Sequence, residues 1–361
     1  MVRDCSRFFP PAPSGVPAHD SDALKRLGWQ TFFTRQTAGQ DLTATPPVRV
    51  TEVQRSGLRA LGAGGEVTLP PMPGVTVGDW LLHDPARPAR STVLERRSLF
   101  RRRAAGTGRE EQLIAANVDT LFIVSSCNHD FNPARLERYL ALAHEAGVEA
   151  AIVLTKADAS DDPDGYADRA RAVAREVPVL ALNALEPGDV ARLRGWCGLG
   201  QTAAFVGSSG VGKSTLVNAL MCGDAALTGD IREDDSRGRH TTTARQLHLM
   251  PGGGLLLDTP GMRELQLTDA AEGIAGVFAD IEELARHCRF RDCGHESEPG
   301  CAVLAAVETG ALDPARISRW RKLMAEDRFN SATLHERRER DRAFGKMVRN
   351  ATGNKARRRD G

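Results

Sequence analysis

Residues 202–221 read TAAFVGSSGVGKSTLVNALM, an apolar stretch, a glycine-rich loop and a helical pattern in immediate succession. Residues 207–214 match the phosphate-binding pattern G-x-x-x-x-G-K-[ST] in the strand–loop–helix context that it requires. The glycines let backbone N–H groups surround phosphates, Lys213 supplies a cation to the β and γ oxygens, and the Ser214 hydroxyl can ligate Mg²⁺. The loop does not by itself distinguish ATP from GTP. The predicted phosphate contacts are Gly207, Ser208, Ser209, Gly210, Val211, Gly212, Lys213, Ser214 and Thr215.

Two downstream segments can complete a triphosphate site. Residues 258–261 read DTPG after the apolar run GGLLL, so that Asp258 can hold Mg²⁺ through water and the Gly261 N–H can contact the γ-phosphate. Between this motif and the phosphate loop, residues 238–243 read GRHTTT. One of these threonines can complete the Mg²⁺ coordination when a γ-phosphate is present, as switch loops do. Thr242 is favoured narrowly over Thr241 for that role.

Two upstream motifs predict that the base is guanine. Residues 155–158 read TKAD after the apolar run EAAIVL and resemble the base-reading element N/T-K-x-D of GTPases. A carboxylate such as Asp158 accepts hydrogen bonds from guanine N1–H and its exocyclic amine, a donor pair that adenine lacks. The Lys156 stem can lie over the base plane. Residues 183–185, NAL, stand in the place of an S-A-[KL] element, whose alanine N–H reads guanine O6. The predicted base contacts are Thr155, Lys156, Asp158, Asn183 and Ala184.

Composition divides the chain into four parts. Residues 1–47 are rich in Pro, Ala and Thr, and the amphipathic patch at 24–33 predicts an extension with a short docking helix, with disorder as the alternative. Residues 48–113 have the short alternating stretches and frequent Gly and Pro of a small barrel. In residues 114–277, apolar runs alternate with amphipathic stretches, which predicts a parallel sheet covered on both faces. Residues 278–361 contain a Cys/His cluster and charged helical segments.

The Cys/His cluster predicts a metal site. Three thiolates and one imidazole in the spacing C-x4-C-x-H-x5-C satisfy the tetrahedral coordination of Zn²⁺ and leave no position open to water. We therefore predict one structural zinc per chain, held by Cys288, Cys293, His295 and Cys301. The remaining cysteines are dispersed and are predicted to be buried apolar residues rather than ligands; they are Cys5, Cys127, Cys197 and Cys222.

The motif order resembles that of the circularly permuted GTPases, because the base-reading elements precede the phosphate loop and residues 258–261. Within that group the chain is similar, over about residues 48–350, to the ribosome small-subunit-dependent GTPase A family, called RsgA or YjeQ. The resemblance is carried by VGDW, AANVD, GSSGVGKSTLVN, GRHTTT, DTPGMRE and the metal cluster. Asn183 departs from it, since the family usually has Ser there, and residues 1–47 extend beyond the common core.

The resemblance implies a multidomain protein with an N-terminal OB-fold barrel, a central circularly permuted α/β P-loop GTPase domain and a C-terminal zinc-binding helical domain. These domains correspond to residues 48–113, 114–277 and 278–361. It also implies that the chain hydrolyses GTP in the late maturation of the small (30S) ribosomal subunit. The implied partners are that subunit and its rRNA, with magnesium accompanying GTP.

The predicted catalytic site lacks the residue that usually orients the attacking water. Conventional small GTPases place a Gln after D-x-x-G to orient the attacking water, and this chain has Met262 there, which makes no useful hydrogen bond. We expect slow intrinsic hydrolysis, with the missing polar group supplied by His240 or by an RNA surface. The predicted catalytic residues are Lys213, Thr242, Asp258, Gly261 and His240.

Charge is uneven along the chain. Residues 335–361 carry ten basic and four acidic side chains, a net charge of +6 against +1 for the whole chain. This tail predicts a polyanionic partner. Near the barrel, Arg96, Arg97, Arg101, Arg102 and Arg103 are further candidates for RNA contact. Aromatic residues are sparse in the barrel, so contacts with the RNA backbone are predicted to dominate over base stacking.

No apolar run has the length of a membrane span, and no secretory signal is recognisable, so we expect a cytoplasmic monomer without a membrane partner. An ATP-using P-loop enzyme is a competing hypothesis, but Asp158 and the permuted motif order argue against it. A third hypothesis is a non-catalytic, GTP-dependent RNA-binding module, in which Met262 reflects lost activity.

Overall fold

The computed structural model describes residues 21–103, 111–174, 176–222, 245–258, 267 and 270–331. The chain divides into two units, which are described separately. The first comprises Met1–Leu265 with Glu272–Ala279, and the second comprises Gln266–Ala271 with Asp280–Gly361.

The N-terminal part of the first unit consists of two short helices and seven strands. The helices are α1 (Ser21–Arg26) and α2 (Thr31–Gln36). The strands are β1 (Pro47–Gln54), β2 (Gly57–Gly62), β3 (Gly65–Leu69), β4 (Trp80–Leu82), β5 (Thr92–Val93), β6 (Leu99–Arg103) and β7 (Glu111–Ala116). Strands β1 to β5, here called the N-terminal sheet, are antiparallel to one another around buried aliphatic residues such as Val50 and Leu81. Strands β6 and β7 form a separate two-stranded ribbon.

The rest of the first unit alternates strands and helices, as its sequence pattern predicts. Its strands are β8 (Thr120–Ser126), β9 (Glu149–Thr155), β10 (Val179–Ala181), β11 (Thr202–Gly207), β12 (Arg245–Leu249) and β13 (Leu255–Asp258). Its helices are α3 (Pro133–Glu145), α4 (Pro163–Val173), α5 (Pro187–Ala191), α6 (Lys213–Cys222) and α7 (Ala271–Val277). Helix α3 begins where the Asn132 side chain accepts a hydrogen bond from the Arg135 N–H, with Pro133 in the first turn.

One continuous sheet runs through the first unit in the order β10-β9-β8-β11-β13-β12-β1-β2-β3. The first five of these strands are parallel, and β12 is antiparallel to β13. Every residue of β8 is buried, as expected for a strand covered on both faces. Because β12 also pairs with β1, the N-terminal sheet continues the sheet that carries the phosphate loop.

The segment 21–46, here called the extension, differs from its prediction. We predicted one helix over residues 24–33, but the structure has two short helices separated at Gly28, whose φ of +87° is incompatible with a continuing helix. Leu24, Leu27 and Phe33 pack in one cluster with Trp80 of β4. The buried guanidinium of Arg49 donates to the carbonyl oxygen of Leu27 at 2.6 Å, which joins the extension to the N-terminal sheet.

The same arginine also reaches the segment just before the parallel sheet. Its Nη2 atom donates to the Asn117 carbonyl oxygen at 2.8 Å, and burial lowers the pKa of Arg49 to about 10. A buried cation without a hydrogen-bonded partner is costly. The bonds to these carbonyl oxygens therefore stabilise the Arg49 guanidinium in its buried position.

The second unit contains helices α8 (Ala279–Ala285), α9 (Ala302–Glu308) and α10 (Pro314–Ser331). Arg316 of α10 forms a two-point ion pair with Asp280, at 2.8 and 2.9 Å. Asp327 accepts a hydrogen bond from the Ala270 N–H at 2.9 Å, which holds the segment before α7 against α10. Among the described residues, none of the helices combines the length and apolarity needed to cross a membrane.

Candidate nucleotide site and metal centre

The predicted nucleotide motifs stand at the ends of four strands of the same parallel sheet. Residues 207–214 follow β11, residues 155–158 follow β9, residues 183–185 follow β10, and β13 ends at Asp258. Because these strands are parallel, their carboxyl ends lie at one edge of the sheet. The structure therefore brings together motifs that are up to about a hundred residues apart in sequence, at the edge where α/β sheets bind ligands.

The backbone conformation of the phosphate loop requires glycine at several positions. Gly210 and Gly212 have φ values of +77° and +90°. At Gly207, a Cβ atom would lie 2.2 Å from the Val124 carbonyl oxygen, so the close approach of β11 to β8 excludes any larger residue there. The Lys213 ammonium donates to the carbonyl oxygens of Gly207, at 2.8 Å, and Ser208. Lys213 thus lies folded over the loop that we predict to hold the phosphates.

Thr155 joins the phosphate loop to the base-reading segment. Its hydroxyl is fully buried and donates to the Val211 carbonyl oxygen at 2.6 Å. The same threonine methyl lies 3.6 Å from the position of a Cβ on Gly212. We predicted that Thr155 contacts the base, and the structure places its side chain inward, against the phosphate loop. Lys156, which follows it, is exposed with a left-handed φ of +58°.

The two base-reading segments are tied to each other and internally ordered. The Ala157 N–H donates to the Leu182 carbonyl oxygen at 3.3 Å, and Asp158 is exposed beside it. The Asn183 side chain accepts from the Leu185 N–H at 2.9 Å, and the Asn183 N–H donates to the Asp189 carboxylate at 2.8 Å. Asn183 therefore orders this turn in place of the usual Ser. Asp189 was not predicted from the sequence. Its role is to hold the backbone of Asn183 in place.

The Cys/His cluster of the second unit has the geometry of a metal centre. One ligand atom from each of Cys288, Cys293, His295 and Cys301 lies within 4.8 Å of the others. Cys288 Sγ is 3.8 Å from Cys301 Sγ and 3.6 Å from His295 Nδ1. Bonds of about 2.3 Å to sulfur and about 2.0–2.1 Å to nitrogen give tetrahedral edges of about 3.8 and 3.6 Å, so Cys288, His295 and Cys301 are spaced for a tetrahedral metal ion, with the Cys293 ligand atom within 4.8 Å of theirs.

The histidine of this cluster is prepared for coordination. His295 is 5% exposed, and its ring lies 5.6 Å from that of Trp320. Burial lowers the pKa of His295, which favours the neutral imidazole that metals bind. The neighbouring carboxylate of Glu298 accepts hydrogen bonds from the N–H groups of Gly294 at 2.7 Å and Glu296 at 2.8 Å. These hydrogen bonds between residues of the same loop therefore order the backbone around His295.

Comparison with known proteins gives the family. Residues 93–268 match the family described as RsgA GTPase. The chain is 51% identical to small ribosomal subunit biogenesis GTPase RsgA 2 of Vibrio parahaemolyticus, over 94% of this chain and 95% of that protein. This chain belongs to the RsgA GTPase family. RsgA GTPases hydrolyse GTP, so the chain is a GTP hydrolase, and the hypothesis of an ATP-using enzyme is excluded.

Solved structures of the RsgA fold agree with the architecture. YjeQ from Thermotoga maritima superposes with a TM-score of 0.57 at 23% identity, covering 78% of this chain and 97% of that one. YloQ, described as a circularly permuted GTPase, superposes with a TM-score of 0.54 at 24% identity, covering 80% of this chain and 97% of its own. The match to the Vibrio RsgA covers so much of this chain that it must include part of residues 1–47. The extension is therefore shared with at least one RsgA relative.

Several predicted RsgA site residues lie outside the described residues. These are His240, Thr242, Gly261 and Met262, and of Asp258 only the backbone is described. The described part of the site therefore comprises the phosphate loop, the two base-reading segments and the end of β13.

One arginine that we predicted to contact RNA, Arg96, belongs instead to the packing of the first unit, and its exposed neighbour Arg97 forms an ion pair there. Arg96 donates to both carboxylate oxygens of Asp79, at 2.7 and 2.8 Å, and Asp79 is fully buried. Arg97 pairs with Asp119 at 2.8 Å, and Asp119 also accepts the Thr202 N–H at the start of β11. Breaking a buried pair of this kind costs several kcal/mol, about 3–5 in measured cases. We therefore reassign Arg96 from RNA contact to a structural role.

The dispersed cysteines show no sign of a chemical role among the described residues. Burial raises the pKa of Cys197 to about 12 and also raises that of Cys127, so both thiols stay protonated.

Proposed function

We propose that this chain is a GTPase that binds the small ribosomal subunit in its late maturation and hydrolyses GTP there at a rate that the subunit increases. The observation that carries the proposal is the similarity, over nearly the whole length of both chains, to a relative named small ribosomal subunit biogenesis GTPase. The proposal is also supported by the parallel strands, which bring the phosphate loop and the base-reading segments to one edge of the sheet. The protein acts as a cytoplasmic monomer.

The proposed domains are an OB-fold at 48–113, a permuted GTPase domain at 114–277 and a zinc-binding domain with a basic tail at 278–361. The antiparallel strands β1 to β5 support the first. The sheet order β12-β13-β11-β8-β9-β10 supports the second, since the described nucleotide motifs stand at the ends of its strands.

In the proposed nucleotide site, residues 207–215 surround the phosphates and Lys213 neutralises their negative charge. Asp158 and the Ala184 N–H select guanine, while the Lys156 stem covers the base. Ser214 and Thr242, with Asp258 through water, would hold Mg²⁺, which supplies positive charge to the phosphate oxygens when bound. Gly261 and His240 complete the site around the γ-phosphate.

The proposed metal is zinc, one per chain, in a closed structural site. Three cysteines and one histidine with their donor atoms within 4.8 Å of one another are the donor set that structural zinc prefers. Such a site contributes to the folding of its own domain, because the ligands converge only in the folded state.

Removing the Glu298 carboxylate is expected to weaken zinc binding. Glu298→Ala leaves all four ligands in place but removes the acceptor that orders the His295 loop. Removal of such a supporting partner typically lowers metal affinity about 10–100-fold. Zinc affinity is measured by competition with a chromogenic chelator, with Cys293→Ser as the reference for a missing ligand. Glu296→Ala is the matched control, because only the backbone N–H of Glu296 contacts this carboxylate. Equal zinc affinity in Glu298→Ala and the unaltered protein would contradict the ordering role.

RNA contact is proposed for the ribbon β6–β7, the basic tail and the loop between Cys288 and Cys293. In that loop Phe290 is 42% exposed, and the Arg289 guanidinium lies 5.4 Å from the centre of its ring. Arg291 is exposed beside them. An exposed aromatic ring with adjacent guanidinium groups favours stacking on an unpaired base. No stacking residue was predicted in this loop from the sequence.

Binding to the small subunit tests the proposal. Purified small subunits should co-sediment with the protein loaded with a non-hydrolysable GTP analogue, and large subunits should not. Truncation after residue 334 removes a net charge of about +6 and should weaken binding about tenfold at 0.15 M salt. The slope of log K against log salt should become less steep by about 0.7–0.9 for each rRNA phosphate that the tail no longer neutralises.

The matched control for this truncation is removal of residues 2–20, which contain two Arg and two Asp and therefore carry no net charge. That deletion should leave the salt dependence unchanged. Intrinsic hydrolysis should be nearly the same in all three proteins, since the predicted nucleotide motifs end at Gly261. An unchanged salt slope after removal of the tail would show that the tail does not contact rRNA.

A further inference from the structure

Strand β12 lies between the nucleotide site and the N-terminal sheet. On one side its Gln246 pairs with Asp258, the last residue of β13. On the other side Gln246 pairs with Glu52 of β1. Three residues at one level of the sheet thus connect the end of the D-x-x-G strand to the N-terminal sheet. The predicted switch, residues 238–243, stands directly before this strand in the sequence.

Side chains reinforce this connection across the sheet. Gln246 Nε2 donates to Glu52 Oε1 at 2.9 Å, and Glu52 is 6% exposed. The neighbouring Arg245 donates from Nη1 to the Leu113 carbonyl oxygen of β7 at 2.8 Å. The first two residues of β12 therefore contact the N-terminal sheet and the ribbon, the two parts of the first unit that precede the parallel sheet in the chain.

The Gln246–Glu52 side-chain bond is a large part of the contact between β12 and β1. Strands β1 and β12 pair at two positions, Glu52 with Gln246 and Val53 with Arg245, whereas β1 and β2 pair at six. So short a pairing depends on its side chains for its register. A buried carboxylate also needs its hydrogen-bond partners, since an unsatisfied one is costly. Displacing the start of β12 would remove one of three partners of Glu52, which also accepts from Gln54 and pairs with Arg59 at 3.7 Å.

We propose that Gln246 and Glu52 are positioning residues that couple the nucleotide site, through the end of β13 at Asp258, to the N-terminal sheet. Nucleotide bound beside the end of β13 biases the position of β12, and the Gln246–Glu52 bond transmits the position of that strand to β1. A subunit contact at the N-terminal sheet biases the nucleotide site by the same bond, because coupling between two sites is reciprocal. The inference rests on the proposed function, and it adds the route by which the subunit acts on hydrolysis.

The chain offers a matched control for the bond. Gln54 Nε2 donates to the same Glu52 oxygen at 2.7 Å, but Gln54 lies on β1 itself. Gln246→Leu therefore removes the side-chain bond between β12 and the N-terminal sheet. Gln54→Leu removes an equivalent amide from the same oxygen, but that bond lies within β1 and does not connect the two strands. Glu52→Gln keeps an acceptor oxygen in place, so it should preserve the coupling.

Hydrogen exchange of the full chain tests the coupling without the ribosome. Exchange of the β1 amides is compared between the protein loaded with GDP and with a non-hydrolysable GTP analogue. We expect the rates to differ roughly fivefold or more in the unaltered protein, Gln54→Leu and Glu52→Gln, as for typical coupled sites. In Gln246→Leu the difference should fall below about twofold, with nucleotide binding retained. Should that variant not fold, Glu52→Leu removes the same bond from the other side.

Three results would overturn the inference: no nucleotide effect on β1 in the unaltered protein, an undiminished effect in Gln246→Leu, or equal reductions in Gln246→Leu and Gln54→Leu. The experiment contains no ribosomal subunits, so its outcome is separate from that of the proposed function. A β1 response in a protein that subunits do not stimulate would refute the proposed activation and leave the coupling in place.

Discussion

Asp158→Asn is expected to reverse the base preference of the nucleotide site from GTP to xanthosine triphosphate. The carboxylate of Asp158 can accept from two guanine donors, the N1–H and the exocyclic amine. Asparagine keeps one acceptor oxygen for the N1–H but turns an N–H toward the exocyclic amine. A hydrogen bond to a charged group contributes about 1.5–3 kcal/mol, so losing one should weaken GTP binding roughly 10–10²-fold. In xanthine an oxygen replaces the exocyclic amine, and the asparagine amide can donate to it. The position is well ordered for this role, since Ala157 beside it is bonded to Leu182.

Displacement of a fluorescent GDP by unlabelled GTP, xanthosine triphosphate and ATP measures this preference. Asp161→Asn is the matched control, because Asp161 is an exposed carboxylate three residues further along the chain. That variant should keep the selectivity of the unaltered protein. If Asp158→Asn also keeps it, Asp158 does not read the base.

Small ribosomal subunits are expected to accelerate GTP hydrolysis by about 10³-fold. Met262 stands where conventional small GTPases carry the Gln that orients the attacking water, so the isolated chain lacks that polar group. External completion of a phosphoryl-transfer site can accelerate hydrolysis by about 10³–10⁵-fold. We expect the low end, because His240 is available within the chain to supply part of the missing interaction. Single-turnover rates with and without subunits give the factor directly.

Local motifs made most of the candidate site predictable. The phosphate loop needs glycines at defined positions and an adjacent strand and helix, all within about twenty residues, so its backbone could be inferred before the structure. The positions of residues 155–158 and 183–185 at strand ends were predictable for the same reason. The metal ligands lie close together in the sequence, between residues 288 and 301, and the structure gathers their donor atoms within 4.8 Å of one another.

Contacts between distant segments were not predictable from local pattern. Arg49 bonds to residues 22 and 68 positions away, and an arginine in a barrel-like sequence is ordinarily read as a surface charge. Arg96 was assigned to RNA by its basic neighbourhood, whereas a buried carboxylate 17 residues away determines its place. The bond between Glu52 and Gln246 joins residues 194 positions apart. No periodicity or motif marks such pairs, because their members come together only in the folded chain.

The extension shows the same limit at short range. Its apolar spacing predicted one helix, but Gly28 adopts a positive φ and also packs against Gly200, where a Cβ on either residue would clash with backbone or with Arg49. The need for close backbone approach, not helix propensity, determines the conformation at that point.

The most direct test of the account measures hydrolysis of xanthosine triphosphate by Asp158→Asn in single turnover, with and without purified small subunits. GTPases that contaminate subunit preparations prefer guanine, so hydrolysis of this nucleotide reports on this chain alone. The account predicts slow hydrolysis by the isolated variant, acceleration by about 10³-fold with small subunits and none with large subunits. Equal rates with and without small subunits, in a variant that binds the nucleotide, would contradict it.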